Sequence, residues 1–142
     1  MRIESACLAL VLAVSGPAFA ETHAGVPEDR ETQPIAPPTP SYPMLAAYMK
    51  VSGRCDVHFN VDASGLTKDI QPVCTHQVFC KSARDAVGAV AFEPKMEGGR
   101  KVERRNVVYP LWYTVDNGMD PDSVNAWLAA KELIACSGYP IS

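Results

Sequence analysis

The residues that could do chemistry in this chain are its cysteines and histidines, and their spacing points to cross-links. Cys74-x-His76-x-x-x-Cys80 offers thiolate and imidazole donors. That spacing matches no common zinc pattern, and no fourth ligand lies nearby in sequence, so no metal is expected. His58 shares a strand face with Asp56 and Asn60. A catalytic histidine needs a nucleophile within hydrogen-bond reach, and none is evident, so His58 reads as an exposed strand residue. There is no phosphate-cradling glycine loop, no paired acid–base carboxylates and no G-x-S-x-G elbow. Trp112 and Trp127 read as packing residues and not as a stack for a ligand. The expectation is a protein with no enzymatic activity, no cofactor and no small-molecule substrate.

A defined run of elements must position these residues. Pro43 suits the first turn of a short helix over residues 42–50, with Leu45, Tyr48 and Met49 on one face and Gly53 as its stop. Cys55, Val57, Phe59 and Val61 alternate with Asp56, His58 and Asn60, which predicts a strand with one buried and one wet face. Asp62-Ala63-Ser64-Gly65 predicts a hairpin connection, with Gly65 free to take positive φ. Residues 66–74 return as a second strand. Phe79, Ala83, Ala86, Val87 and Val90 form the stripe of a helix over 79–92, which Glu93-Pro94 ends. A last strand runs over 106–115. Pro110 inside it cannot donate to a ladder, which marks an edge strand or a bulge. Asp120 or Asp122 caps a tail helix over 123–135, with Val124, Trp127, Leu128 and Ile134 as its apolar face and Gly138 as a stop. A sheet this small cannot cover its own edges, and an open edge is where another chain can pair.

The ends of the chain read as an address and an arm. Arg2, an apolar run from Cys7 to Val14, a Ser15-Gly16-Pro17 break and Ala18-Phe19-Ala20 predict a signal peptide over 1–20, cleaved after Ala20, and hence a periplasmic location. The apolar run is shorter than the roughly 20 residues that span a bilayer. Residues 21–40, with Pro27, Pro34, Pro37, Pro38 and Pro40, are expected to form a Pro-rich flexible arm. Residues 41–115 form the domain, and 116–142 a C-terminal helical extension. The net charge of −3 gives no electrostatic case for nucleic acid. Lys95, Arg100, Lys101, Arg104 and Arg105 crowd one turn, as a solvated hairpin or as a contact for an acidic partner.

With Cys7 in the leader, Cys55, Cys74, Cys80 and Cys136 form an even set, which in an exported chain predicts two disulfides. Counting back from the turn sets Val61 against Leu66 and Cys55 against Pro72. Cys55 is then diagonal to Cys74, roughly 7 Å or more away and long for a disulfide. This register favours Cys74–Cys80 with Cys55–Cys136. A bulge forced by Pro72 would shift it, and Cys55–Cys74 with Cys80–Cys136 is the alternative.

Tyr42-Pro43, Gly53, the hairpin Val57-x-Phe59-x-Val61-Asp62-x-x-Gly65, then Phe79-x-x-x-Ala83-x-x-Ala86-Val87, Phe92-x-Pro94, Gly99 and a final strand together resemble the TonB C-terminal domain family. The resemblance covers residues 40–115. It implies an α+β fold: a small three-stranded antiparallel sheet, first strand in the middle, with a helix packed on one face. The C-terminal helix is extra. It also implies a partner, a segment of an outer-membrane receptor or other envelope protein, added as a strand to the sheet edge in transport of iron chelates or vitamins. The partner-binding strand carries over onto Asn106, Val107, Val108, Tyr109, Leu111 and Trp112. The chain departs from a full transducer in its cleavable leader, its four cysteines, its tail, and a linker of roughly 20 residues that reaches only about 60–70 Å. A disulfide-stabilised structural protein, with its edge capped by its own tail and no transport role, is the competing reading.

Overall fold

The computed structural model describes residues 29–136. The leader, the start of the arm and the residues beyond Cys136 lie outside them. The elements in chain order are β1 (Gln33–Pro34), α1 (Met44–Tyr48), β2 (Gly53–Val61), β3 (Thr67–Cys74), a 3-10 turn (Gln77–Phe79), α2 (Cys80–Gly88), β4 (Phe92–Glu93), β5 (Lys95–Glu97), β6 (Arg100–Val102), β7 (Arg104–Tyr113), α3 (Pro121–Ala130) and β8 (Ile134–Ala135). The main sheet is antiparallel in the order β7-β2-β3-β8, so β2 is the central strand of the expected three.

Alternation in β2 does what it predicts. Cys55, Val57, Phe59 and Val61 are buried, and α2 packs on that face through Ala83, Ala86 and Val87. Phe79 stacks on Tyr113 at 4.4 Å and meets Tyr42 edge-on at 6.0 Å. Gly53 is not the helix stop: α1 ends at Tyr48, Lys50 takes φ +50 and the Val51 N–H donates to the Ala46 carbonyl, whereas Gly53 opens β2, where a Cβ would lie 2.1 Å from the Phe79 ring. Gly65 has φ +89 and accepts the Phe92 N–H at 2.9 Å, in a space that no side chain fits.

The favoured disulfide pairing is overturned. The bonds are Cys55–Cys74 and Cys80–Cys136. Two one-residue displacements move the register. Val61 pairs with Thr67 and not Leu66, because Asp62 closes a longer loop by accepting from the Ser64 and Leu66 amides. A second irregularity falls between His58 and Asn60, opposite Asp69, which has φ +52. Together they set Cys55 directly against Cys74. Pro72 is not the bulge; it sits in register opposite Val57.

Other boundaries differ for local reasons. α1 buries Ala46 and leaves Leu45, Tyr48 and Met49 exposed, because Tyr42 takes the place over Phe79 and Tyr113. α2 stops at Gly88, since Ala91 and Phe92 are extended and bond to Ile35 and Gly65. The described part of the arm is not free: Gln33 and Pro34 pair with Glu93 and Phe92, and Arg30 exchanges both main-chain bonds with Met96. The tail helix starts from Asp120, which caps Ser123, but ends at Ala130. Ile134 leaves the expected apolar face for β8, drawn to β3 beside the Cys136 cross-link. Val124 and Leu128 are buried, whereas Trp127 is exposed.

Candidate strand-docking edge

β7 pairs with β2 from Gly53↔Tyr113 to Phe59↔Val107 without a break. Among the described residues no strand lies on its other side. Which of its peptide groups face outward follows from the ladder. The Thr75 N–H donates to the Arg54 carbonyl at 2.9 Å, and the Arg54 N–H donates to the Thr75 hydroxyl at 3.1 Å. Arg54 therefore directs both main-chain groups toward the β3 side. Its β7 partner, Trp112, is then in a non-hydrogen-bonded pair and turns its own groups away from β2. By strict alternation Val108, Pro110 and Trp112 face outward, while Val107, Tyr109, Leu111 and Tyr113 bond to β2. The outer rim thus offers two donors, the amides of Val108 and Trp112, and three acceptors.

This divides the residues expected on the docking strand. Val107, Tyr109 and Leu111 spend their main chain on β2 and turn their side chains to the core side. Asn106 has φ +56 and donates its N–H to Asn60 Oδ1 at 3.1 Å, so it bounds the rim. Val108 and Trp112 are 48% and 42% exposed and flank the rim on the open face. The Pro110 carbonyl was not among the expected groups. Its signal was present in sequence: a proline inside a paired strand must direct its nitrogen away from the ladder, and that alone sets the parity of its neighbours.

The rim is held from behind. The Tyr113 hydroxyl donates to Ser82 Oγ at 3.1 Å, and that hydroxyl donates to the Ser41 carbonyl at 2.5 Å. Burial pushes the Tyr113 phenol pKa up, so it stays a neutral donor. On the open face the Arg54 guanidinium lies 5.6 Å from the Trp112 ring. The basic turn is mostly paired: Lys95 with Glu31 and Glu97, Arg104 with Glu31, and Arg105 with Glu103. The Glu97 carboxylate, first among the causes, raises the Lys95 pKa.

The histidines and cysteines weighed in the sequence are placed as follows. His58 is exposed on the wet face. His76 Nδ1 lies 3.0 Å from the Thr75 hydroxyl, but Thr75 is buried and already serves Arg54. The sulfurs of Cys74, Cys80 and Cys136 lie within 4.8 Å of one another, yet each is in a disulfide, so they hold no thiolate for a metal. Among the described residues the tail lies on the opposite rim: β8 pairs with Val73 and Cys74 of β3, and none of its strands pairs with β7.

Known proteins resemble this chain in sequence and fold. The model of the Gram-negative bacterial TonB protein C-terminal family matches residues 38–113. Protein TonB of Pseudomonas aeruginosa is 29% identical over 99 residues, which are 66% of this chain and 29% of that protein. The chain thus spans less than a third of that relative's length. The solution NMR structure of the Pseudomonas aeruginosa TonB CTD superimposes with a TM-score of 0.51 at 27% identity, covering 68% of this chain and 98% of that one. With the family model spanning more than half of its residues, the chain belongs to the TonB C-terminal domain family.

Proposed function

We propose that this protein is a periplasmic binding module that captures an extended segment of an outer-membrane receptor, or of another envelope protein, as an added strand on the β7 rim. The observation that carries the reading is the outward set Val108, Pro110 and Trp112, which has no strand beyond it among the described residues. Main-chain bonds supply affinity, and the side chains beside Val108 and Trp112 supply selectivity. The role needs no catalytic group and links the chain to TonB-dependent uptake of iron chelates or vitamins. Export through a leader cleaved after Ala20 places the module in the periplasm, and N-terminal sequencing of that fraction should read Glu21 first. The self-capped structural alternative is disfavoured by the position of β8, on β3 and not on β7.

Hydrogen exchange tests the docking step. Synthetic peptides tiling the periplasm-facing segments of outer-membrane receptors are added to the protein. A binding peptide should slow exchange at the Val108 and Trp112 amides and leave Val107, Tyr109 and Leu111 as protected as before. Val108 and Trp112 amides already protected in the isolated protein would refute the proposal.

A further inference from the structure

The β3 rim carries a device of its own. β8 is two residues long, both exposed, and pairs only with Val73 and Cys74. Two further bonds support it: the Cys136 N–H to the Pro72 carbonyl at 3.1 Å and Gln77 Nε2 to the Ala135 carbonyl at 3.4 Å. α3 buries Val124 and Leu128 but leaves Trp127 exposed, as is Met119 just before it. Such sparse contacts do not hold a strand on a sheet unaided. What fastens it is Cys80–Cys136, which joins residues 56 positions apart. Cys55–Cys74, by contrast, spans 19 positions and links directly opposed residues of a ladder that stands without it.

We propose that Cys80–Cys136 is a redox latch on the second rim of the sheet: closed, it holds β8 over β3; opened by a dithiol reductant, it releases the tail and uncovers the outward groups of Pro72 and Cys74. The four cysteines are not equally deep in the fold. Cys136 is 8% exposed, against 2% for Cys80, 1% for Cys74 and 0% for Cys55. A thiolate of the dithiol attacks Cys136 Sγ, forms a mixed disulfide and expels the Cys80 thiolate. The second thiol of the reagent, as its thiolate, then displaces the Cys136 thiolate and closes the reagent's own disulfide. Two electrons pass from the dithiol to the protein, and the two cysteine thiolates take up protons from water. The freed β3 rim is then a second strand acceptor beside β7, so the oxidised protein has one docking edge and the reduced protein two.

The test is limited reduction of the full chain with dithiothreitol, alkylation of the freed thiols, peptide mapping and amide exchange. Cys80 and Cys136 should be alkylated while Cys55–Cys74 stays intact. Exchange at the Ile134 and Cys136 amides, which face β3, should then rise roughly hundredfold, with β2 and β7 unchanged. A Cys80→Ser, Cys136→Ser double variant should show the released tail without reductant. It also removes exchange with Cys74, whose Sγ lies 3.6 Å from that of Cys136. Three results would overturn the latch: Cys55–Cys74 opening first or simultaneously, tail amides staying protected with Cys80–Cys136 open, or the whole sheet losing protection along with the tail.

Discussion

Replacing Pro110 with valine probes the docking rim at its one missing donor. Pro110 lies opposite Asp56, with its ring nitrogen directed away from β2. Valine at that place adds an outward N–H and leaves every β2–β7 bond in place. The side chain is exposed and valine favours a strand, so the fold should bear the change. An incoming strand that covers the position gains one main-chain hydrogen bond, worth about 0.5–1.5 kcal/mol net. Its Kd should fall by roughly 2- to 12-fold. The assay is fluorescence anisotropy of a labelled receptor peptide, with circular dichroism as the check on folding. Val108→Pro is the paired control: it removes an outward donor and should weaken binding by a similar factor. Tyr109→Pro removes an inward donor, so it should instead disrupt the β2 ladder and unfold the domain. If Pro110→Val and Val108→Pro both bind as the parent does while remaining folded, the peptide does not pair with this rim. Valine also removes a natural guard against edge-to-edge pairing, so sedimentation at the working concentration should show more self-association than the parent.

Three further outcomes follow from the packing and the charges. Gly53→Ala puts a Cβ 2.1 Å from the Phe79 ring and should cost about 1–3 kcal/mol in urea unfolding. Hydrogen bonds from Ser64, first among the causes, hold the Asp62 carboxyl far below the usual carboxylate range. The unfolded chain therefore binds the proton first, and the contribution of Asp62 is complete above the unfolded value near pH 4 and lost as pH falls toward the folded one. Asp62→Asn should flatten that acid limb of the stability curve. Burial, and then the nearby Lys131 charge, lowers the His76 pKa, so His76 stabilises the fold above about pH 6.5 and does so less as pH falls through its folded value. An NMR titration showing His76 protonating above the ordinary histidine range would contradict this.

Elements whose burial pattern is self-contained were legible in the sequence. The alternation of β2, the small-residue stripe of α2 and the Asp120 cap each report a local physical preference, and each appears in the structure. What could not be read depends on two segments at once. The β2–β3 register turned on one loop residue and on Asp69, whose left-handed backbone no periodicity announces, and with it went the disulfide pairing. The arm reads as unstructured because Thr32 and Gln33 bury little, yet they are held by polar bonds to Glu93. β8 is too short to have a period, and its place comes from Cys136. At the docking rim the strand was legible, but its outward parity was not extracted from Pro110.

The rim itself sets how tightly it can hold anything. Between Asn106, whose left-handed backbone ends the regular edge, and Tyr113, locked against Phe79, the outward groups span about 14–17 Å, room for five or so residues. Two donors and three acceptors give at most five main-chain bonds, together about 2.5–7.5 kcal/mol. Association costs an estimated 4–15 kcal/mol, so the backbone alone leaves little or no net affinity. The difference must come from side chains, and the largest surface available is the exposed 42% of Trp112. With roughly 250 Å² for a whole tryptophan, that is on the order of 100 Å², worth about 1–2.5 kcal/mol when half to all of it is covered. Trp112→Ala should therefore weaken peptide binding by roughly 5- to 70-fold, with a smaller loss for peptides carrying a small residue at the facing position. An alanine variant that binds with the parent's Kd would mean that the contact lies elsewhere on the molecule. A loss equal for all peptides would assign Trp112 to shaping the strand through Arg54 and not to reading the partner.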